Sequence, residues 1–318
     1  MNRLNYYKRI FSAYLTATTS QLTFWHEIPD VNENLVTDRL GEYYMPFTSK
    51  ADYKGYYDDQ GIPMLDYRGA IGLQYNPIAI AQYGLGNYNL FCRTRDETRK
   101  KRFINVANWL VSNLEETRYG TKVWYHHFDW EYRDTLKAPW YSALAQGQGI
   151  SLLLRAHKEV DDDIYIYSAK EAFETFKKNI REGGVTYIDD DNHIWFEEYI
   201  VYPPTHILNG FIWASWGVYD YYLYTKEQEA IELFNQAIST LCDRLNDYDV
   251  GFWSLYEQSG TRMKMLASPF YHSLHIAQLK ILYRLTDIKL FDHYSNKWTS
   301  YYNDPFKRNL AIFYKTIF

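Results

Sequence analysis

The segment APWYSALAQGQGISLLLRAH, residues 138–157, sets Leu144, Ile150, Leu153 and Leu154 at the three- and four-residue spacing of one helix face. Pro139 suits a first helical turn, where its missing N–H has no helical partner. The middle of the segment breaks the apolar pattern. Gln146 and Gln148 put amides where a buried helix prefers apolar groups, with Gly147 between them. A glycine inside a helix costs up to about 1 kcal/mol relative to alanine. Gly147 and Gly149 therefore serve close helix packing or close approach of a ligand, and the sequence leaves both open.

The same spacing recurs on either side. It runs through Phe103, Val106, Ala107, Leu110 and Leu114, then Ile166, Ala169, Phe173, Phe176 and Ile180. Further segments cover Ile207 to Tyr222, Ala230 to Leu245 and Leu274 to Leu285, separated by Gly, Pro or Asp clusters. About seven or eight helices of roughly 10–20 residues are predicted, and no convincing alternating strand in the C-terminal two thirds. Residues 1 to 75 mix Tyr, Asp, Gly and Pro without a helical period, which predicts loops and short strands. The expected fold is mainly α. Helical hairpins closing into an (α/α) toroid over 96–318 account for the pattern, with a short irregular or small β segment, 1–95, packed against it. A helical solenoid is the competing arrangement.

Composition narrows the function. The chain has 318 residues, 47% of them hydrophobic, and a formal charge of −5, so it is globular and has no basic field for nucleic acid. An anionic ligand must be held by a local basic or hydrogen-bonding site. Tyrosine supplies 33 residues and tryptophan 10, more than a core of this size needs. Such rings also stack on sugar faces and hydrogen-bond hydroxyls. Cys92 and Cys242 fit no metal or redox spacing and are expected to be reduced. No stretch has the roughly 20 apolar residues of a membrane span. The N-terminal MNRLNYYKRIFSAYLTATTSQLTFWHE lacks the apolar core of a secretory signal, and a cytoplasmic location is expected. His126 and His127 are neighbours and point apart on a helix or strand, so no metal site is expected. Phosphate-loop, nucleophile-elbow and complete dinucleotide motifs are missing, and no cofactor is expected.

Two further clusters carry chemistry. FEEYIVYPPTHILNGF, residues 196–211, sets Glu197, Glu198 and Tyr199 just before a helix that begins near Thr205 and holds Asn209 in its first turns. Glu198 reads either as a reacting carboxyl or as an acid favoured by the helix dipole. LYEQSGTRMKMLASPFYHSLHIAQLKIL, residues 255–282, supplies Tyr256, Arg262, Lys264, Tyr271, His272 and His275 around a helix start, which suits a carboxylate-bearing ligand.

These clusters, with YNPIAIAQYGLGNY at 75–88, carry a resemblance. In the same order they look like the C-terminal helical domain of the D-glucuronyl C5-epimerases of heparan sulfate and heparosan biosynthesis. The resemblance implies a toroid with a polysaccharide cleft in which a uronate is inverted at C5. It places catalytic roles on Glu198, Tyr199, Tyr256 and Tyr271, with Arg262 or Lys264 as the cation. Substrate contacts fall to Tyr75, Gln82, Tyr83, Tyr88, Gln146, Asn209, Lys264 and His272. The implied partner is a uronate-containing polysaccharide, and a homodimer is compatible with the same resemblance. Animal members carry a β-barrel between the AQYGL and APWYSA blocks, whereas here residues 89–137 read as helix plus loop.

The chemistry is self-consistent. Inversion at C5 removes a proton α to a carboxylate and returns one from the other face, so an acid and a base must flank the ring. The dianionic intermediate needs positive charge or hydrogen-bond donors around its carboxylate. A polysaccharide lyase or uronyl hydrolase on the same toroid and a non-catalytic glycan-binding capsule-assembly protein are the rival readings.

Overall fold

The computed structural model describes residues 24–25, 28–132, 135–260 and 263–317. The expectation for residues 1–23 lies outside the described residues. Ten α-helices are present among the described residues: α1 (Thr48–Ala51), α2 (Pro77–Thr94), α3 (Glu97–Ser112), α4 (Ala143–Val160), α5 (Asp163–Phe173), α6 (Leu208–Thr225), α7 (Gln228–Arg244), α8 (Pro269–Thr286), α9 (Lys289–Asn303) and α10 (Pro305–Ile317).

From α2 to α9 they form four hairpins, α2–α3, α4–α5, α6–α7 and α8–α9, and α2, α4, α6 and α8 pack side by side in that order. This is the mainly α, (α/α) succession expected from the sequence. Burial explains which helix of each pair is inner. α4 and α6 bury most of their length, including Leu144, Ile150 and Leu153 of α4 and Phe211, Trp213 and Trp216 of α6. The outer α3 and α7 bury one stripe each, Phe103–Val106–Ala107–Leu110 and Ala230–Phe234–Ala237–Leu241.

The glycines of α4 have packing reasons. A Cβ on Gly147 would stand 2.8 Å from Ala214 Cα and 3.0 Å from Ala214 O, and Gly217 lies against Gly147 from the facing helix. α4 and α6 thus touch backbone to backbone. Gly149 makes room for the Trp124 ring. One buried ion pair fastens the same helices: Arg155 Nη1 lies 2.6 Å from Asp220 Oδ2, with both side chains 1% exposed. Arg155 also donates to Gly41 O, and Tyr44 donates to Asp220, which ties the N-terminal segment to the two inner helices.

Several boundaries differ from the sequence reading. α4 begins at Ala143, capped by Ser142 Oγ, which accepts from Ala145 N; Pro139 lies upstream, outside the first turn. α6 begins at Leu208, beyond Thr205. α2 falls within the 1–95 segment but packs on α3 and α4, so a division at residue 95 cuts through a helical hairpin.

Short strands also occur, including β4 to β9 in the C-terminal two thirds. A three-stranded antiparallel sheet comprises β1 (Tyr56–Tyr57), β2 (Pro63–Asp66) and β3 (Leu73–Gln74). Two-residue ladders pair β4 (Glu115–Glu116) with β5 (Lys122–Val123), and β6 (Trp130–Glu131) with β7 (Thr135–Leu136). The hairpin of β8 (Thr186–Ile188) and β9 (Ile194–Phe196) matters most, because β9 runs straight into Glu197 and Glu198. Cys92 and Cys242 are unpaired. No helix among the described residues is long and apolar enough to cross a membrane.

Candidate active site

The inner helices begin at one end, and the loops there converge. Ala143 N, at the start of α4, donates to Glu197 O at 2.9 Å, and Leu208 N, at the start of α6, donates to Tyr256 O at 3.2 Å. Tyr271 sits in the first turn of α8, its N–H on Ser268 Oγ. Asn76 caps α2 and donates to Tyr67 OH at 2.7 Å. Helix N-termini carry partial positive charge, so this end favours an anion.

Glu198 is the carboxyl at the centre. It is 6% exposed and its side chain lies over the first turn of α6, against Gly210, where any Cβ would collide with the carboxylate. Asn209 Nδ2 donates to Glu198 Oε2 at 3.3 Å. Ile207 offers no side-chain cap to α6. Burial pushes Glu198 up to about 8, reinforced by the charge of Glu197 and opposed by the Asn209 amide. It therefore changes protonation near neutrality.

Its neighbour faces a different way. Glu197 is fully buried and accepts from His206 N at 3.1 Å, with His206 Nδ1 2.6 Å from its Oε1. His206 adopts φ 50°, a left-handed conformation strained for a residue with a side chain. Glu197 holds that strained corner and, through it, the entry to α6.

Three phenols complete the cluster. Tyr256 and Tyr271 stand with ring centroids 4.8 Å apart. Burial holds the Tyr199 and Tyr256 phenols well above their ordinary value, and Glu198 and Tyr271 raise both further. Raised in this way above the ordinary phenol value, both remain protonated at neutral pH. An aromatic wall encloses them. Tyr132 and Trp140 meet the Tyr199 ring at 4.6 and 5.6 Å, and Tyr67 meets Trp130 at 5.7 Å. Trp140 is itself stacked on His126 at 3.8 Å.

The structure thus brings together Glu198, Tyr199, Asn209, Tyr256 and Tyr271 of the residues expected in the site. Arg262 lies outside the described residues, and Lys264 is exposed on the segment leading to α8. The other expected substrate contacts lie outside this cluster, each with partners of its own. Gln146 is fully buried, accepts from Trp124 N and donates to Lys122 O, pinning the β5 segment to α4. His272 is held between Ser254 Oγ at 2.7 Å and Trp298 O at 3.0 Å. The Tyr88 hydroxyl meets Glu159, and Gln82 donates to Gln148 across α2 and α4. Tyr75 binds Asp58 at the surface, and Tyr83 faces a separate cleft.

Sequence reasoning missed Tyr67, Trp130, Tyr132 and Trp140. For Trp130 and Tyr132 the available signal was the density of rings in VWYHHFDWEY, residues 123–132, a stretch weighed only for metal ligands; Tyr67 and Trp140 lie outside it. Asp189, Asp191 and His193 bring ligand atoms within 4.8 Å of one another at the β8–β9 turn. Asp189 already accepts from Trp195 Nε1 and from Asp191 N and His193 N, the bonds of a tight turn.

A mainly α succession of hairpins, with a buried carboxyl and several phenols gathered at the common start of its inner helices, defines a helical-toroid protein. The chain belongs to the D-glucuronyl C5-epimerase C-terminus family, whose profile matches residues 115–300. It is 32% identical to a D-glucuronyl C5-epimerase of Caenorhabditis elegans over 65% of this chain, and spans 36% of that protein's length. It is 26% identical to an uncharacterized protein of Methanocaldococcus jannaschii, covering 72% of this chain and 78% of that one. Among solved structures it is similar to a glycoside hydrolase from family 105 of C. acetobutylicum, with a TM-score of 0.49, 13% identity, and coverage of 72% and 63%.

Proposed function

We propose that this protein is an epimerase that inverts C5 of D-glucuronate residues, giving L-iduronate, in a heparosan-type polysaccharide. The observation that carries the reading is the gathering of one buried carboxyl, Glu198, bonded by Asn209, with the paired Tyr256 and Tyr271 phenols at the common start of the inner helices.

In the proposed reaction the Glu198 carboxylate takes the C5 proton and becomes the acid. The electron pair moves into the uronate carboxylate, giving the dianionic intermediate. The Asn209 amide and the helix N-termini supply donors and positive dipole at this end of the fold. A phenol of the Tyr256–Tyr271 pair then gives its O–H proton to C5 from the opposite face. Proton exchange with solvent returns both groups to their starting forms. Aromatic rings around Tyr199 offer a stacking surface for the sugar and limit water.

The test is incubation of a heparosan-type polymer with the protein in D2O. Proton NMR should reveal deuterium at C5 and the appearance of L-iduronate signals. Accumulation of an unsaturated uronate would instead assign a lyase, in which the same intermediate expels its O4 substituent. No exchange with retained binding would leave a glycan-binding protein.

A further inference from the structure

A cleft of about 670 Å³ opens on the flank formed by α1, the β1–β2 turn, α2 and α3. It lies apart from the proton-transfer cluster. Tyr83, which it reaches on α2, is seven residues past the Asn76 cap, about 10 Å along the helix axis from the catalytic end.

Its lining combines three kinds of group. Lys54, Lys101 and Arg102 are exposed cations that make no ion pair among the described residues. The single acid of the lining, Asp52, is already bound by Arg99 at 2.7 Å. Tyr57 and Tyr83 form an aromatic floor, their rings 5.8 Å apart edge to face, and the Arg102 guanidinium acts on both phenols. Gln60, Asn105 and Asn108 supply amides at the rim. Tyr165 donates to Asn108 Oδ1 at 2.6 Å, and the Asn108 NH2 has no acceptor among the described residues.

The cleft is also preformed. Asn105 Nδ2 donates to Gln60 O and so closes the β1–β2 turn onto α3. Gly61, at φ 79°, gives that turn its left-handed corner. On a chain of net charge −5, three uncompensated cations over a ring floor are a local departure from the overall field. Cations suit carboxylates, amides suit hydroxyls, and rings suit the apolar faces of sugars.

We propose that this cleft is a second saccharide site that holds carboxylate-bearing residues of an acidic glycan away from the reacting uronate. The choice of an acidic glycan rests on the epimerase reading above. Such a site raises the effective concentration of polymer at the catalytic recess without taking part in the chemistry.

The experiment uses the full chain as the Glu198→Gln variant, labelled with ¹⁵N and titrated with a heparosan-type oligosaccharide. Amide shifts are expected at Tyr57, Tyr83, Lys101, Arg102 and Asn105, and an uncharged oligosaccharide of equal length should not produce them. In the otherwise native protein, the triple variant Lys54→Ser, Lys101→Ser, Arg102→Ser should raise KM for the polymer about tenfold with kcat retained, a loss of about 1.4 kcal/mol. Shifts confined to the surroundings of Glu198 and Tyr271, or an unchanged polymer KM in the triple variant, would overturn the proposal. If C5 exchange is not seen but the cleft shifts appear, the epimerase reading fails while the glycan site stands.

Discussion

Replacing Glu198 by Gln separates the carboxyl's proton chemistry from its packing. The amide has nearly the same shape, fits against Gly210 and can still accept from Asn209 Nδ2. In the native protein burial lifts the Glu198 carboxyl from its ordinary 4.5 to about 8. Between those values the folded chain holds a proton that the unfolded chain has released. The protonated carboxyl's contribution to stability is therefore complete below the unfolded value and is lost as pH rises through the folded one. Each pH unit inside the window corresponds to about 1.4 kcal/mol, so from about pH 5 to 7.5 this group alone lowers stability by about 3 kcal/mol. Glu198→Gln removes that slope, and urea midpoints of variant and native protein should diverge in the variant's favour as pH rises. The same substitution should cut C5 exchange by about 10²-fold or more, and native exchange should rise with pH through about 8 as the carboxylate forms. A stability difference that is identical at both ends of the window, or turnover within severalfold of native, would refute the assignment.

Tyr271→Phe removes one oxygen and keeps the ring, so melting should change by about 1 kcal/mol while C5 exchange is largely lost; exchange within severalfold of native would remove Tyr271 from the mechanism. Gly147→Ala presses a methyl onto the Ala214 backbone, which cannot yield as a side chain would, and should destabilise by about 1–3 kcal/mol in urea unfolding. Asp220→Ala leaves the Arg155 guanidinium buried without its counter-charge and should cost about 3–5 kcal/mol, read as a lower unfolding midpoint.

Much of the helical framework was legible because a helix packed on a core must repeat its apolar face at a fixed period. The stripe from Phe103 to Leu110 and that from Ala230 to Leu241 appear in the structure as the buried faces of α3 and α7. Helix starts were less legible. Pro139 and Thr205 look like openings, but α4 and α6 begin where chain from elsewhere receives their first N–H groups, at Glu197 O and Tyr256 O. A local pattern contains no information about such distant acceptors.

The same division runs through the site. The order of the blocks around Glu198, Asn209, Tyr256 and Tyr271 was readable along the chain, and motif spacing singled them out. Their sequence separations, from Glu198 to Tyr271, are bridged only when four helices are laid side by side with their N-termini at one end. Gln146, Tyr88 and His272 carry the same polar chemistry in the same motifs, yet in the fold Gln146 meets the Trp124 backbone, Tyr88 the Glu159 carboxylate and His272 the buried Ser254 hydroxyl. Polarity is a property of the residue, so the sequence determined which groups could do chemistry. Burial and proximity are properties of the fold, and they alone decided that Glu198 titrates near neutrality while Glu197, one residue away, is bound to His206.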